Sequence, residues 1–203
     1  MQELIYHEAA RLFGLYGLRS VTMEDIARSL GVSKKTLYIW YTDKQELISA
    51  VYLPFLQSTR QSCLSISAQA PDAIHEAFDC WQEIRLFLLR LQGGLLQDLQ
   101  KQHPAIYRRY NRFCNFTIPS LFHLNLERGQ REGLYRNDWS KQLAIGQAKA
   151  AQDLLQWPAP REPRRPDWHS DDEFVVHYLR GLSTPEGQAV IEEYNTQAAT
   201  VAI

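Results

Sequence analysis

Between Thr22 and Tyr41 the chain reads T-M-E-D-I-A-R-S-L-G-V-S-K-K-T-L-Y-I-W-Y, and no other stretch limits the fold as much. Thr22 followed three residues later by Asp25 is a capping-box start, and Ile26, Ala27 and Leu30 place apolar groups on one face of a short helix. Gly31 suits the left-handed position that closes such a helix, and Ser33 can accept from the first free N–H groups of a second one. The second helix opens with Lys34, Lys35 and Thr36 and should bury Leu37 together with Ile39 or Trp40. Two short helices joined in this way form a helix-turn-helix.

In that motif the second helix enters the DNA major groove, with its N-terminal residues nearest base edges and phosphates. Lys34 and Lys35 have the charge for phosphates or guanine edges, and Thr36 is short enough for close contact. The competing reading of the lysines is a solvated helix end. Bulk charge does not decide the matter, because the formal net charge is −1. Within Met1–Ala50, Arg11, Arg19, Arg28, Lys34, Lys35 and Lys44 balance Glu3, Glu8, Glu24, Asp25, Asp43 and Glu46. Placement carries the signal: the lysines fall at two helix starts, while Glu24 and Asp25 open the first motif helix, where acids suit the helix dipole.

V-T-M-E-D-I-A, then G-V-S-K-K-T-L-Y, an aromatic pair and D-K-Q-E-L closely resemble the N-terminal DNA-binding domain of the tetracycline-repressor (TetR) family, from about Leu4 to Tyr52. The resemblance implies that Tyr38 contacts the DNA backbone and that Lys44 is a second phosphate clamp. Thr22, Ser33 and Trp40 are secondary DNA candidates. The alternative for Tyr38, Trp40 and Tyr41 is that they are core aromatics of the small domain.

The rest of the chain reads as helices. Residues from about Gln2 to Tyr16 carry Ile5, Ala9, Leu12, Phe13 and Tyr16 on one stripe, with Gly14 and Gly17 marking the end. Asp43 and Glu46 can cap a longer helix with Leu47, Ile48, Val51, Tyr52 and Phe55, in which Pro54 predicts a kink or break. Further helices are expected over Asp72–Leu91, from Leu95 through Leu99, from His103-Pro104 past Ile118 with a kink at Pro119, over Leu121–Arg131, Lys141–Trp157, Asp171–Leu182 and Pro185 to about Gln197. Pro158–Pro166 is a proline- and arginine-rich connector. E-G-L-Y-R at Glu132–Arg136, followed by Asp138, weakly resembles a feature of the family's regulatory domains. The expected fold is all-α with about nine helices. It divides into a three-helix helix-turn-helix domain over 1–46 and a helical ligand-binding and dimerisation domain over 47–203.

A single helix-turn-helix contacts too few bases to find one site in a genome, so a dimer reading two half-sites about 34–36 Å apart is expected. Ala144, Ala148, Ala151 and Leu155, with Phe174, Val175, Tyr178, Leu179 and Leu182, resemble the two family helices that build a two-fold four-helix interface. The alternative is burial within one subunit. In the family the middle of the chain holds a small-molecule pocket, and Trp81, Arg85, Tyr110, Phe113, Asn115 and His123 are the candidates here. An aromatic stripe is more often core than pocket, and an effector would be small and apolar or aromatic.

Composition is ordinary for a globular chain, with 45 % hydrophobic and 22 % charged residues. No charged apolar leader opens it and no run approaches the ~20 apolar residues of a membrane span, which predicts a cytoplasmic protein. Cys63, Cys80 and Cys114 are odd in number and widely spaced, which suits free thiols, with a redox sensor as the alternative. Asn115-Phe116-Thr117 matches a glycosylation sequon, without a secretory context to use it. The cluster His169, Asp171, Asp172, Glu173 and His177 lacks a metal-ligand pattern, and no HExxH, phosphate-cradling glycine loop or nucleophile elbow occurs, so no cofactor, metal or catalytic residue is expected. The expectation is therefore a dimeric, ligand-responsive repressor of a palindromic operator. The alternatives are a DNA-binding adaptor governed by a protein partner or by no effector, and more remotely an enzyme.

Overall fold

The computed structural model describes residues 1–90, 94–138, 140, 142, 145, 146, 149 and 171–201. Its helices are α1 (Gln2–Ser20), α2 (Met23–Leu30), α3 (Lys34–Trp40), α4 (Lys44–Gln69), α5 (Ala73–Arg90), α6 (Gly94–Gln102), α7 (Pro104–Arg112), α8 (Ile118–Arg131), α9 (Asp171–Leu182) and α10 (Pro185–Val201). A π-helical turn, Phe113–Thr117, joins α7 directly to α8. Counted as one run, these leave nine helices among the described residues, and the only β pairing there is an isolated bridge between Tyr135 and Ser183. The fold is all-α. No described helix is long and apolar enough to cross a membrane.

Two apolar clusters organise the chain. The first joins α1–α4 to the second half of α5, to α6, to α7 and to the π turn through Ile5, Phe13, Leu37, Leu47, Ile48, Leu88, Leu99 and Phe113. The second joins the first half of α5 to α8, α9 and α10 through Ile74, Phe78, Trp81, Leu126, Leu179 and Ile191. Tyr194 of α10 stacks on Phe78 at a centroid distance of 4.1 Å and donates to Asp79 at 3.0 Å, fixing the last helix on α5.

Several local expectations change in the structure. Gly17 adopts φ +80°, so the axis of α1 breaks one residue after Tyr16, and Leu18 rather than Tyr16 enters the core; Tyr16 is 62 % exposed. Pro54 lies inside α4 without ending it, leaving the Ala50 carbonyl without its usual intrahelical donor. The irregularity expected at Pro119 falls earlier, in the π turn. A proline at 119 cannot donate to the Asn115 carbonyl and crowds it, and one extra residue in the preceding turn relieves that contact.

Arg128 of α8 ties the α4–α5 corner. It donates to the Ser67 and Ala70 carbonyls at the end of α4 (3.2 and 2.9 Å) and pairs with Glu76 (2.9 Å) and Glu132 (2.6 Å). Helix-end carbonyls that α4 cannot satisfy itself are thereby satisfied. Glu132 in turn accepts from the Ala73 amide at 2.8 Å. Thr184 caps α10 by accepting from the Gly187 amide at 3.2 Å, behind Pro185 at the first helical position.

Candidate DNA-binding surface

Helix α2 starts as its sequence dictates. The Thr22 hydroxyl accepts from the Asp25 amide (3.2 Å), and the Asp25 carboxylate accepts from the Thr22 amide (2.9 Å) and hydroxyl (2.6 Å). Those bonds, followed by the attraction of Arg28, hold the Asp25 carboxyl below the usual carboxylate range. Gly31 closes α2 at φ +66°, with its amide on the Ala27 and Arg28 carbonyls. Ser33 then caps α3 by accepting from the Thr36 amide at 3.1 Å, and the two hydroxyls lie 2.8 Å apart.

Of α3 itself, Leu37 alone is buried, at 0 % exposure. Tyr41, one turn on, is buried beside it, and together they fill the stripe facing α1 and α2. Ile39 (71 % exposed) and Trp40 (42 % exposed) therefore do not join the core as expected. Tyr38 is 44 % exposed. Lys34, Lys35, Tyr38, Ile39 and Trp40 thus form an exposed face, with Thr36 half-buried at its edge. Ile39 is absent from the sequence-derived candidates, although the i, i+4 spacing of Leu37 and Tyr41 already accounts for the buried stripe of so short a helix.

Charge divides sharply between the two motif helices. Glu24 and Asp25 are matched by Arg28 at 3.5 and 3.6 Å, whereas no carboxylate of a described residue pairs with Lys34 or Lys35. Two ammonium groups at the positive end of α3's dipole are unfavourable within the helix alone, and an anion placed there relieves both. Lys44 is differently held. Its ammonium donates to the Leu18 carbonyl at the end of α1, and it is half-buried. Burial pushes its pKa down, opposed by the charges of Asp98 and Asp25. Asp98, on α6, also accepts from the Arg19 amide at 3.2 Å, which links the far end of α1 to the helices beyond α4.

The remaining candidates are dispersed. Among the proposed pocket residues, Trp81 packs in the second cluster, while Tyr110 and Phe113 surround Phe87 in the first. Arg85 is half-buried on α5. Asn115 donates to the Asn111 carbonyl and accepts from Lys149, both at 2.8 Å, and His123 is partly exposed 3.4 Å from Glu127. Phe113 also lines an open cleft beside α4. Val175, Tyr178, Leu179 and Leu182 are buried within the single chain, against α5 and Trp81. In the single chain the apolar stripe of α9 is covered by α5. Ala144, Ala148, Ala151, Leu155 and the side chain of Phe174 lie outside the described residues, as do Lys141, Trp157 and the Pro158–Pro166 connector. The Cys80 thiol points at the Cys63 carbonyl (3.7 Å), and its bond to Cys63 and its burial push its pKa up, away from thiolate chemistry. No group of three potential metal ligands occurs among the described residues.

Residues 5–51 match the family described as "Bacterial regulatory proteins, tetR family". Over 110 residues the chain is 34 % identical to the "Uncharacterized HTH-type transcriptional regulator YvaF" of Bacillus subtilis (strain 168), a match covering 51 % of this chain and 54 % of that protein. The chain spans about half the length of that relative. It is 23 % identical over 155 residues to the HTH-type transcriptional repressor KstR2 of Rhodococcus jostii (strain RHA1), covering 68 % and 69 % of the two chains. The solved structure of the ketosteroid transcriptional regulator KstR2 of Mycobacterium tuberculosis shares the fold, with a TM-score of 0.65, 19 % identity and coverage of 90 % of this chain and 95 % of that one. The capped helix pair at Thr22–Tyr41 lies inside the segment that matches the TetR family, and beyond that segment the likeness to solved structures is one of all-helical fold.

Proposed function

We propose that this protein is a sequence-specific DNA-binding transcriptional regulator, acting as a homodimeric repressor on a palindromic operator in the cytoplasm and released by a small effector. The observation that carries the reading is the exposed, unpaired Lys34–Lys35 pair on a Ser33-capped helix anchored by Leu37 alone. Lys34, Lys35 and Thr36 would meet base edges and nearby phosphates. Tyr38, Lys44 and the Thr22 and Ser33 hydroxyls would meet the backbone, with Trp40 beside them. In this reading residues 1–46 bind DNA and residues 47–203 sense and dimerise. The subunit interface would fall to the Ala144–Leu155 stripe and the exposed side of α9. Repression needs only occupancy of the site, and the names of the KstR2 relatives, one a repressor, agree with it. The chemistry is that of a binding protein, with no enzymatic step.

Selection of random duplex DNA by the purified protein, followed by sequencing of the bound fraction, tests this. A short palindrome is the expected product, with binding that weakens linearly in log[salt]. Absence of any bound duplex at low salt would overturn the reading.

A further inference from the structure

An open cleft of about 340 Å³ lies between the middle of α4 and the α7–π segment. Leu53, Leu56 and Phe113 give it apolar walls, and Arg60, Arg109 and Arg112 line it with exposed guanidinium groups. None of these three arginines pairs with a described carboxylate, whereas Arg11, Arg28, Arg128, Arg136 and Arg180 all do. Acids are also absent from the chain around the cleft. Residues 47–71 contain no Asp or Glu, and neither do residues 104–117, which carry Arg108 as well. A protein of net charge −1 has thus set unbalanced positive charge on two facing stretches of helix.

Both walls are irregular at this place. Pro54 adjoins Leu53 in α4, and the π turn supplies Phe113 on the other side. Helices interrupted in this way do not close against each other as regular ones do, and π turns occur frequently at binding sites. A guanidinium offers a planar fork of donors that fits carboxylate and phosphate oxygens two at a time. A cation would be repelled, and a neutral ligand would leave the three charges without a counter-charge.

We propose that this cleft binds an anionic amphiphile, with a phosphate- or carboxylate-type head on Arg60, Arg109 and Arg112 and an apolar portion against Leu53, Leu56 and Phe113. Binding stands on the cleft alone; that it acts as the effector rests on the regulator reading. The full chain is to be titrated calorimetrically with octyl phosphate, octanoate, octyl glucoside and inorganic phosphate. The better of the two anionic amphiphiles should bind at least about tenfold tighter than octyl glucoside or inorganic phosphate, and the choice between them identifies the head group. Arg60→Gln and Arg109→Gln should each weaken it about tenfold, whereas Arg108→Gln, on the same helix but outside the cleft, should change it less than about twofold. Equal affinity for charged and neutral amphiphiles, an equal loss in Arg108→Gln, or no binding at all overturns the proposal. Binding of the selected duplex is measured separately without ligand. Its failure counts against the regulator reading and leaves the titration valid. A duplex that stays bound when the cleft is saturated overturns the effector role.

Discussion

Gly129 lies directly against the ring of Tyr135, so closely that a Cβ at position 129 would stand 2.1 Å from Tyr135 Cδ2. Tyr135 is almost wholly buried, and its hydroxyl donates to the Ala73 carbonyl or the Asn125 side-chain oxygen, each 3.1 Å away. The same segment accepts the Thr184 amide on the Leu134 carbonyl and donates the Arg136 amide to Leu182, at 2.9 Å each. Gly129→Ala should therefore push out the residue that locks α8 to the α9–α10 corner. Overpacking of this kind costs about 1–3 kcal/mol, and here the upper end is expected because the obstructing atoms belong to a rigid ring. Chemical unfolding of the variant beside wild type measures it; an unchanged midpoint would show that the ring can move aside.

Lys44 should prove bifunctional. Lys44→Ala removes the donor from the Leu18 carbonyl, so it is expected to lower stability by about 1 kcal/mol as well as weaken DNA binding. Lys34→Ala, from an exposed ammonium, should weaken DNA binding at unchanged stability and reduce the slope in log[salt] by about 1. Thermal unfolding and fluorescence anisotropy on the same samples separate the two.

Gly31 is a position where conformation alone sets the cost. No heavy atom lies within 4 Å of a Cβ placed there, yet φ is +66°. Gly31→Ala should destabilise by about 1 kcal/mol, and Gly31→Asn by less, because Asn visits this region more readily. Equal costs for the two would point to a steric cause.

His103 gives the stability of the α6–α7 junction a pH dependence. It is buried, and desolvation together with the Lys44 charge pushes its pKa below the ordinary 6.5, with Asp98 opposing. A lowered pKa in the folded state means that the unfolded chain takes up the proton first. Stability should therefore fall as pH drops below about 6.5 and level off once the folded-state pKa is passed. Urea midpoints at intervals from pH 8 to pH 5 should show this slope, and His103→Gln should flatten it. An equal slope in the variant would assign the effect elsewhere.

What the sequence made legible was whatever neighbouring residues decide among themselves. The Thr22–Asp25 box, Gly31, the Ser33 and Asp43 caps and Pro185 after Thr184 each act within four residues, and each stands where its local chemistry puts it. The fold class followed from the periodicity of α5 and its neighbours. Tyr16 was placed on the buried stripe and Leu18 was passed over because one positive φ at Gly17 turns the stripe by a step that no periodicity shows. The α9 stripe was legible as apolar but not as to what covers it, since a partner subunit and α5 leave the same pattern. The arginine cleft was invisible for the same reason: Arg60 and Arg109 are far apart in the chain, and only the packing of α7 on α4 makes them neighbours.

Helix α3 is held by a single buried side chain, Leu37, and is too short to exist apart from that anchor. Its other six positions carry almost no packing duty. Substitutions can therefore change this exposed surface nearly residue by residue at little risk to folding, so long as Leu37 is kept.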